Sequence, residues 1–368
     1  MKRSDLPFPQ KPDELLLPLK KIWEEGWLDD FSNEHPLIKA IENRLTDFVA
    51  SKQLKSNNIS FPSFGSEDIS MFSLNYCCNL SNRIQFLLKT FGEPNIRRFF
   101  TDQVSAGKNN YDEFQFFRAL SEISILSFLC TISQTGLYEP KINGRKNPEA
   151  RLFLPNNVIV DVEVKTPGFS TVQQQKDIAI PTILLDSDGR ALFEEFCNTH
   201  GIQCYMPRVN KLKDFLNSAA SKFEDVDHIK HINMLYINWT LSEFMESSFQ
   251  EAFSIISNPY NGILANKEIG LQVGISEEAY RKITAVVVYT ESWDGLMFND
   301  FRHVWQRDSM GNPHFAVYAL HNKSELFSKI KMNPSKETTQ CLLYCYKQQN
   351  TDYSNDLLSI ISEHYLKK

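Results

Sequence analysis

Four charged residues in one short stretch have the types and spacing to do chemistry. From Asn147 to Lys165 the chain reads Asn-Pro-Glu-Ala-Arg-Leu-Phe-Leu-Pro-Asn-Asn-Val-Ile-Val-Asp-Val-Glu-Val-Lys. Valines alternate with charged residues at its end, and a period of two marks a β-strand. Asp161, Glu163 and Lys165 then share one face, and Val158, Val160, Val162 and Val164 share the other. Take Pro155-Asn156-Asn157 as a three-residue loop, with Asn157 in the left-handed conformation that asparagine tolerates. Leu154 then pairs with Val158, Leu152 with Val160 and Ala150 with Val162, and the same register sets Glu149 opposite Glu163. Side chains opposed in this way sit roughly 5 Å apart, where like charges destabilise the pair. A divalent cation between them reverses the sign, because hard cations bind carboxylate oxygens. Two carboxylates converging beside Lys165 would form a Mg²⁺ (or Mn²⁺) site suited to phosphodiester hydrolysis. The competing reading is a solvated ladder of charges on the open face of an antiparallel sheet.

Elements on either side must hold those residues in place. Asp112 to Gln134 is expected to be a helix, with Phe116, Phe117, Leu120, Ile123, Leu126 and Leu129 at helical spacing. Glu122 falls on the flank of that stripe, where a carboxylate is costly unless paired or metal-bound; pairing with Arg118 one turn away is the plainer role. After the hairpin, Thr166-Pro167-Gly168 stops the strand, and residues 169–200 read as an insertion or lid. Leu212, Phe215, Leu216, Ala219 and Phe223 form a second helical stripe, with Lys222 off it. Ile232–Trp239, Ile283–Tyr289 and His314–Leu320 read as strands, being rich in β-branched and aromatic residues.

Pro148-Glu149, thirteen residues, then Glu163-Val164-Lys165 resembles the signature of the PD-(D/E)xK nuclease superfamily, which has the restriction-endonuclease-like fold. Glu149 replaces the usual Asp after Pro, keeping the charge on a longer arm. The resemblance implies that Glu149 and Glu163 bind metal, that the Val164 carbonyl adds a ligand, and that Lys165 positions or activates water. It also implies an acidic residue from the preceding helix, a role that Glu122 matches. Asp161, on the face of Glu163, and Lys222, on the following helix, are further candidates. Helix, hairpin, helix, strand is the order such a core requires: an α/β (α+β) chain whose mixed β-sheet is flanked by helices. The resemblance spans roughly residues 107–240, extending toward 290. Its implied activity is metal-dependent nucleic-acid hydrolysis, with DNA as the expected partner in a restriction, defence, mobile-element or repair setting. No residue distinguishes DNA from RNA. The alternative is a catalytically inactive member acting as a nucleic-acid-binding or assembly module.

Composition limits the possibilities. Hydrophobic residues make up 42% and charged residues 23% of the 368, an ordinary balance for a soluble globular protein. No apolar run approaches the ~20 residues that span a bilayer, and the start, Met1-Lys-Arg-Ser-Asp-Leu-Pro-Phe-Pro, lacks the apolar core of a signal peptide. Seven cysteines, two of them adjacent, do not suggest a disulfide framework, so a cytoplasmic location is expected. A net charge of −6 argues mildly against nucleic acid, yet residues 141–165 hold five basic against three acidic side chains, a local balance of +2. Three regions are expected: a mainly helical cap over 1–105, a core over 106–295 and an extension over 296–368, with a homodimer or partner protein as a possible assembly. The cap holds 13 Lys/Arg against 14 Asp/Glu, so it should select substrate or partner rather than supply bulk affinity. The Ser51–Ser66 stretch reads as a loop or linker, and a last helix is expected near Asn355–Tyr365. His228 and His231 read as solvent-exposed histidines beside a strand, without zinc spacing to a cysteine or acid. Cys341 and Cys345 read as buried apolar side chains. The chain has no phosphate-cradling Gly-x-x-x-x-Gly-Lys loop and no Gly-x-Ser-x-Gly elbow.

Overall fold

The computed structural model describes residues 2–5, 8, 16–42, 69–142, 146–167, 178–179, 187–201, 203–204, 208–239, 249–258, 262–289 and 315–321. The expectations for Ser51–Ser66, Cys341, Cys345 and Asn355–Tyr365 lie outside them. Contacts divide the chain into two compact units, one running to Thr131 and one starting at Ile132.

The described part of the first unit is helical: α1 (Leu17–Glu24), a helical run at 36–42, α2 (Ile69–Phe91), α3 (Glu93–Phe99) and α4 (Glu113–Cys130). Asp112 caps α4 by accepting from the Gln115 N–H, an arrangement that stabilises a helix start by about 1 kcal/mol. The helix ends four residues before the expected Gln134, because Gln134 already donates its N–H to the Phe153 carbonyl of the hairpin. Nor is its apolar surface a stripe: Phe116, Ala119–Ser121 and Ile123–Cys130 are buried, as befits a helix surrounded by its neighbours. The expected boundary near 105 falls inside this unit.

The second unit is a six-stranded mixed sheet in the order β1 (Thr135–Tyr138), β2 (Ala150–Leu154), β3 (Val158–Lys165), β6 (His231–Asn238), β7 (Ala285–Tyr289) and β8 (Phe315–Ala319). β4 (Ile178–Ala179) and α5 (Ser187–Thr199) fall in the expected insertion, and β5 (Gln203–Cys204), which pairs in parallel with β4 as a separate sheet, lies just beyond it. The hairpin register is the expected one: Leu154↔Val158, Leu152↔Val160 and Ala150↔Val162. Its turn is a single 3₁₀ turn over Pro155–Asn157, with Asn157 at φ +60°. β1 carried no sequence signal, since four residues are too few to show a period.

From β3 the chain passes through α6 (Arg208–Lys222) to β6, which lies parallel to β3. A parallel pair needs such a crossover. Leu212, Leu216, Ala219 and Phe223 of the α6 region pack with Leu235 and Ile237 of β6 and Val286 and Val288 of β7, all buried. At roughly 2 kcal/mol for each large apolar side chain buried, this contact fixes α6 over one sheet face. Leu235 lies beside Glu163 and Ile237 beside Lys165 in the parallel register. The covered face is therefore apolar on β7 and at Leu235 and Ile237 of β6, and charged on β3. No helix among the described residues is long and apolar enough to cross a membrane.

Candidate active site

The charged half of that face is not a solvated ladder. Asp161 and Glu163 have no exposed surface, and all of β3 from Val160 to Val164 is buried. Position along α6 explains this, because the helix ends at Lys222, directly above the carboxylates. Lys222 falls off the apolar stripe and turns its ammonium to them: Nζ lies 3.2 Å from Glu149 Oε1 and 2.6 Å from Glu163 Oε1. Lys165 Nζ reaches the same Glu163 oxygen at 2.5 Å. The contacts to Glu163 are close ion pairs without the directed geometry of hydrogen bonds, and its buried Oε2 has no hydrogen-bond partner among the described residues.

The electrostatics follow from this crowding. Burial, and then the facing charge of Glu149, push Glu163 up to about 7, against the opposing pull of Lys165 and Lys222. Burial works against a charged Lys222, but Glu163 and Glu149 outweigh it and hold its proton more tightly than in a free lysine. Buried Glu163 and half-buried Glu149, Lys165 and Lys222 thus converge, three of them from one hairpin and the fourth from the helix that follows.

The backbone leaves one more oxygen on the same edge. Ile159 donates its N–H to the Lys230 carbonyl, on the β6 side. Because backbone groups alternate along a strand, Val164 points its carbonyl to the β2 side. The β2–β3 ladder ends at Ala150↔Val162, and the position that the register sets opposite Val164 is Pro148, which has no N–H to donate.

One pleat along the hairpin lies a second constellation. Arg151 stands opposite Asp161 and grips it with two hydrogen bonds of 2.7 Å, from Nε and Nη2. Nη2 also reaches Glu224 Oε2 at 2.8 Å and His231 Nε2 at 3.4 Å, while His231 Nε2 is 2.9 Å from Asp161 Oδ2. Burial raises the proton affinity of Asp161, but Arg151 and His231 overcome it and hold the carboxyl below its ordinary value. Asp161, Glu224 and His231 each offer one ligand atom within 4.8 Å of one another, a set that could hold a metal ion.

The two histidines differ from expectation. Both are half-buried and bonded: His231 joins Asp161, and His228 contacts the Thr284 hydroxyl at 2.7 Å and the Arg281 carbonyl at 2.8 Å while stacking on His321. Asp227 accepts from the N–H groups of residues 229, 230 and 231, and this turn separates the two imidazoles. Glu122 is half-buried on α4 of the first unit, between buried Ser121 and Ile123, whereas Glu149, Asp161, Glu163, Lys165 and Lys222 all belong to the second.

Sequence reasoning missed Arg151 and Glu224, and set His231 aside for want of an acidic or cysteine partner. Arg151 was within reach, since the register that opposes Glu149 and Glu163 also opposes Arg151 and Asp161. Glu224 and His231 had no local signal, because only the crossover through α6 brings them to the hairpin. Compared with known proteins, the chain matches no family model, no curated protein and no solved structure.

Proposed function

We propose that the chain is a metal-dependent nuclease of the PD-(D/E)xK kind, hydrolysing phosphodiester bonds with DNA as the expected substrate. The observation that carries this reading is Glu163, a fully buried carboxylate facing a second carboxylate, with one oxygen lacking a hydrogen-bond partner among the described residues. Such a group is costly as a structural element. Its cost has a rationale if the oxygens serve a cation. The order of elements adds support: a helix, an antiparallel meander, a crossover helix and a strand parallel to the last of the meander.

The donor set fits a hard divalent ion. Mg²⁺ is commonly held by one or two carboxylates and otherwise by water and substrate phosphate, and here Glu149, Glu163 and the Val164 carbonyl would supply the protein oxygens. Bound there, the ion would polarise a phosphate oxygen and lower the pKa of a water. The remaining tasks fall to side chains. Lys165, next to Glu163 Oε1, would orient that water or offset the negative charge that grows as the phosphorus becomes five-coordinate. Lys222 bridges Glu149 and Glu163 and keeps two like charges converged. Neither carboxylate would act as the general acid, because each would be engaged with the ion.

One observation favours a different reading. Two ammoniums already balance the two carboxylates, so the set can be taken as a closed ionic network inside an inactive nucleic-acid-binding or assembly module. Incubation with supercoiled plasmid, single-stranded DNA and RNA separates the two readings. The nuclease reading requires cleavage that depends on Mg²⁺ or Mn²⁺ and stops with EDTA. Binding of nucleic acid without metal-dependent cleavage would favour the module.

A further inference from the structure

We infer that Arg151 is the positioning residue of the carboxylate pair, acting through Asp161 and Glu224; the inference deepens the nuclease reading and rests on it. Its basis is a coincidence of spacing across three chain segments. Arg151 lies two residues after Glu149 on the hairpin, Asp161 two before Glu163, and Glu224 two after Lys222. Each segment that Arg151 ties together thus carries a member of the candidate site at the same short distance. On the two strands, two residues are one pleat repeat on the same face, about 7 Å. The guanidinium fixes these offsets rigidly. Its side-on fork to Asp161 sets its plane, and Nη2 then meets Glu224 at 2.8 Å. Asn233, which lies beside Asp161 in the β3–β6 register, donates from Nδ2 to the Glu224 carbonyl at 2.9 Å and secures the same segment from below. The end of α6 is therefore anchored one step past Lys222, by groups that touch neither carboxylate of the pair.

The same geometry decides what the Asp161, Glu224 and His231 set holds. Arg151 Nη2 is 2.7, 2.8 and 3.4 Å from the three atoms that could ligate an ion. The guanidinium is the cation of that set, and the divalent ion belongs at Glu149 and Glu163. A lysine could not substitute, being a point charge without the planar fork.

The test uses the full-length chain and two readouts. The first is the NMR signal of the Lys222 ammonium, assigned by its loss in Lys222→Met; the second is Mn²⁺ affinity by calorimetry. Glu224→Gln is the decisive variant, since Glu224 is partly exposed and its change removes no packing. Asp225→Asn is the matched control, breaking an exposed pair with Arg281 one residue further on. Glu224→Gln and Arg151→Lys should displace or broaden the Lys222 signal and weaken Mn²⁺ binding about 10- to 100-fold, the usual effect of losing an outer partner of a metal site. In cleavage assays, kcat should fall while KM for DNA stays level. Asp225→Asn should change neither readout. A Lys222 signal at its wild-type position in Glu224→Gln overturns the inference, whatever Arg151→Lys does. So does loss of all Mn²⁺ binding in His231→Ala, which would make the second set the metal site. If the wild-type chain binds no Mn²⁺, the nuclease reading fails, and the Lys222 signal alone still decides the role of Arg151.

Discussion

His35 in the first unit and Glu163 in the second are both buried titratable side chains with no exposed surface, and their surroundings are opposite in kind. His35 has every polar atom satisfied. The Leu37 N–H donates to Nδ1 at 3.1 Å, which leaves Nε2 to donate to the Val104 carbonyl at 2.7 Å. The rings of Phe116, Phe31 and Tyr111 pack around it at centroid distances of 4.4, 4.8 and 5.2 Å. Glu163 is crowded by two ammoniums on one oxygen, faces a like charge, and has no hydrogen-bond partner for the other oxygen among the described residues. Burial with complete satisfaction is what a structural polar group requires. Burial with an open valence next to a like charge is what a group kept for a ligand looks like. The contrast marks Glu163, and not His35, as the group to test for a ligand.

The comparison can be broken most severely at Glu163. Changing Glu163 to Ala should take Mn²⁺ binding and cleavage below detection together, because the cation loses a principal ligand. Persistent cleavage would place the site elsewhere. Lys165→Ala should sharpen the picture by dividing the two functions: Mn²⁺ affinity close to wild type, with kcat reduced about 10²- to 10⁴-fold, the range for a group that assists proton transfer or charge development. A rate equal to wild type would remove Lys165 from the mechanism.

In the first unit the consequence should be structural. His35→Ala empties an aromatic-lined position and strands two backbone groups, and should cost about 3 kcal/mol, within the range for buried large-to-small changes. Denaturant unfolding of the described helices would show it. A loss below about 1 kcal/mol would mean that the histidine is not the keystone its bonding suggests.

The remaining effects are in pH, and they have opposite signs in the two units. Burial holds His35 down to about 4, so between there and the ordinary value of about 6.5 the unfolded chain binds a proton that the folded chain refuses. Stability in the first unit is therefore present above about 6.5 and lost as pH falls toward 4, by about 3 kcal/mol over that window. Glu163 is raised to about 7 by burial and by Glu149. Between the ordinary glutamate value of about 4.3 and 7 the folded chain keeps a proton that the unfolded chain releases, so stability from this group falls as pH rises. Mn²⁺ should reverse that trend, since binding needs the ionised carboxylate and expels the proton. Calorimetry in buffers of different ionisation enthalpy should detect proton release below neutral pH. Binding without proton release there would contradict the raised value.

Much of the hairpin was legible in the sequence because two local rules sufficed. The valine alternation gave the faces, and the tolerance of asparagine for positive φ gave the turn, which together set the register that opposes Glu149 and Glu163. The stripe on α6 and the apolar runs of β6, β7 and β8 were read for the same reason. Burial of the charged face was not legible. A strand with valine on one side and Asp, Glu and Lys on the other reads equally well as half-exposed, and only the end of α6, brought across by the β3–β6 crossover, covers it. The partners of Arg151 were hidden likewise: Glu224 is 73 residues away and His231 is 80. α2 was missed where a Ser/Asn-rich stretch obscured its start, and the polar positions of α4 gave no sign that the helix is buried nearly all round.

The most direct test of the central claim is a calorimetric titration of Mn²⁺ into the wild-type chain and into Glu163→Gln at neutral pH. The account predicts saturable binding in the wild type that disappears in Glu163→Gln and survives in His231→Ala. Binding of equal affinity in the wild type and Glu163→Gln, or no binding in the wild type, would contradict it.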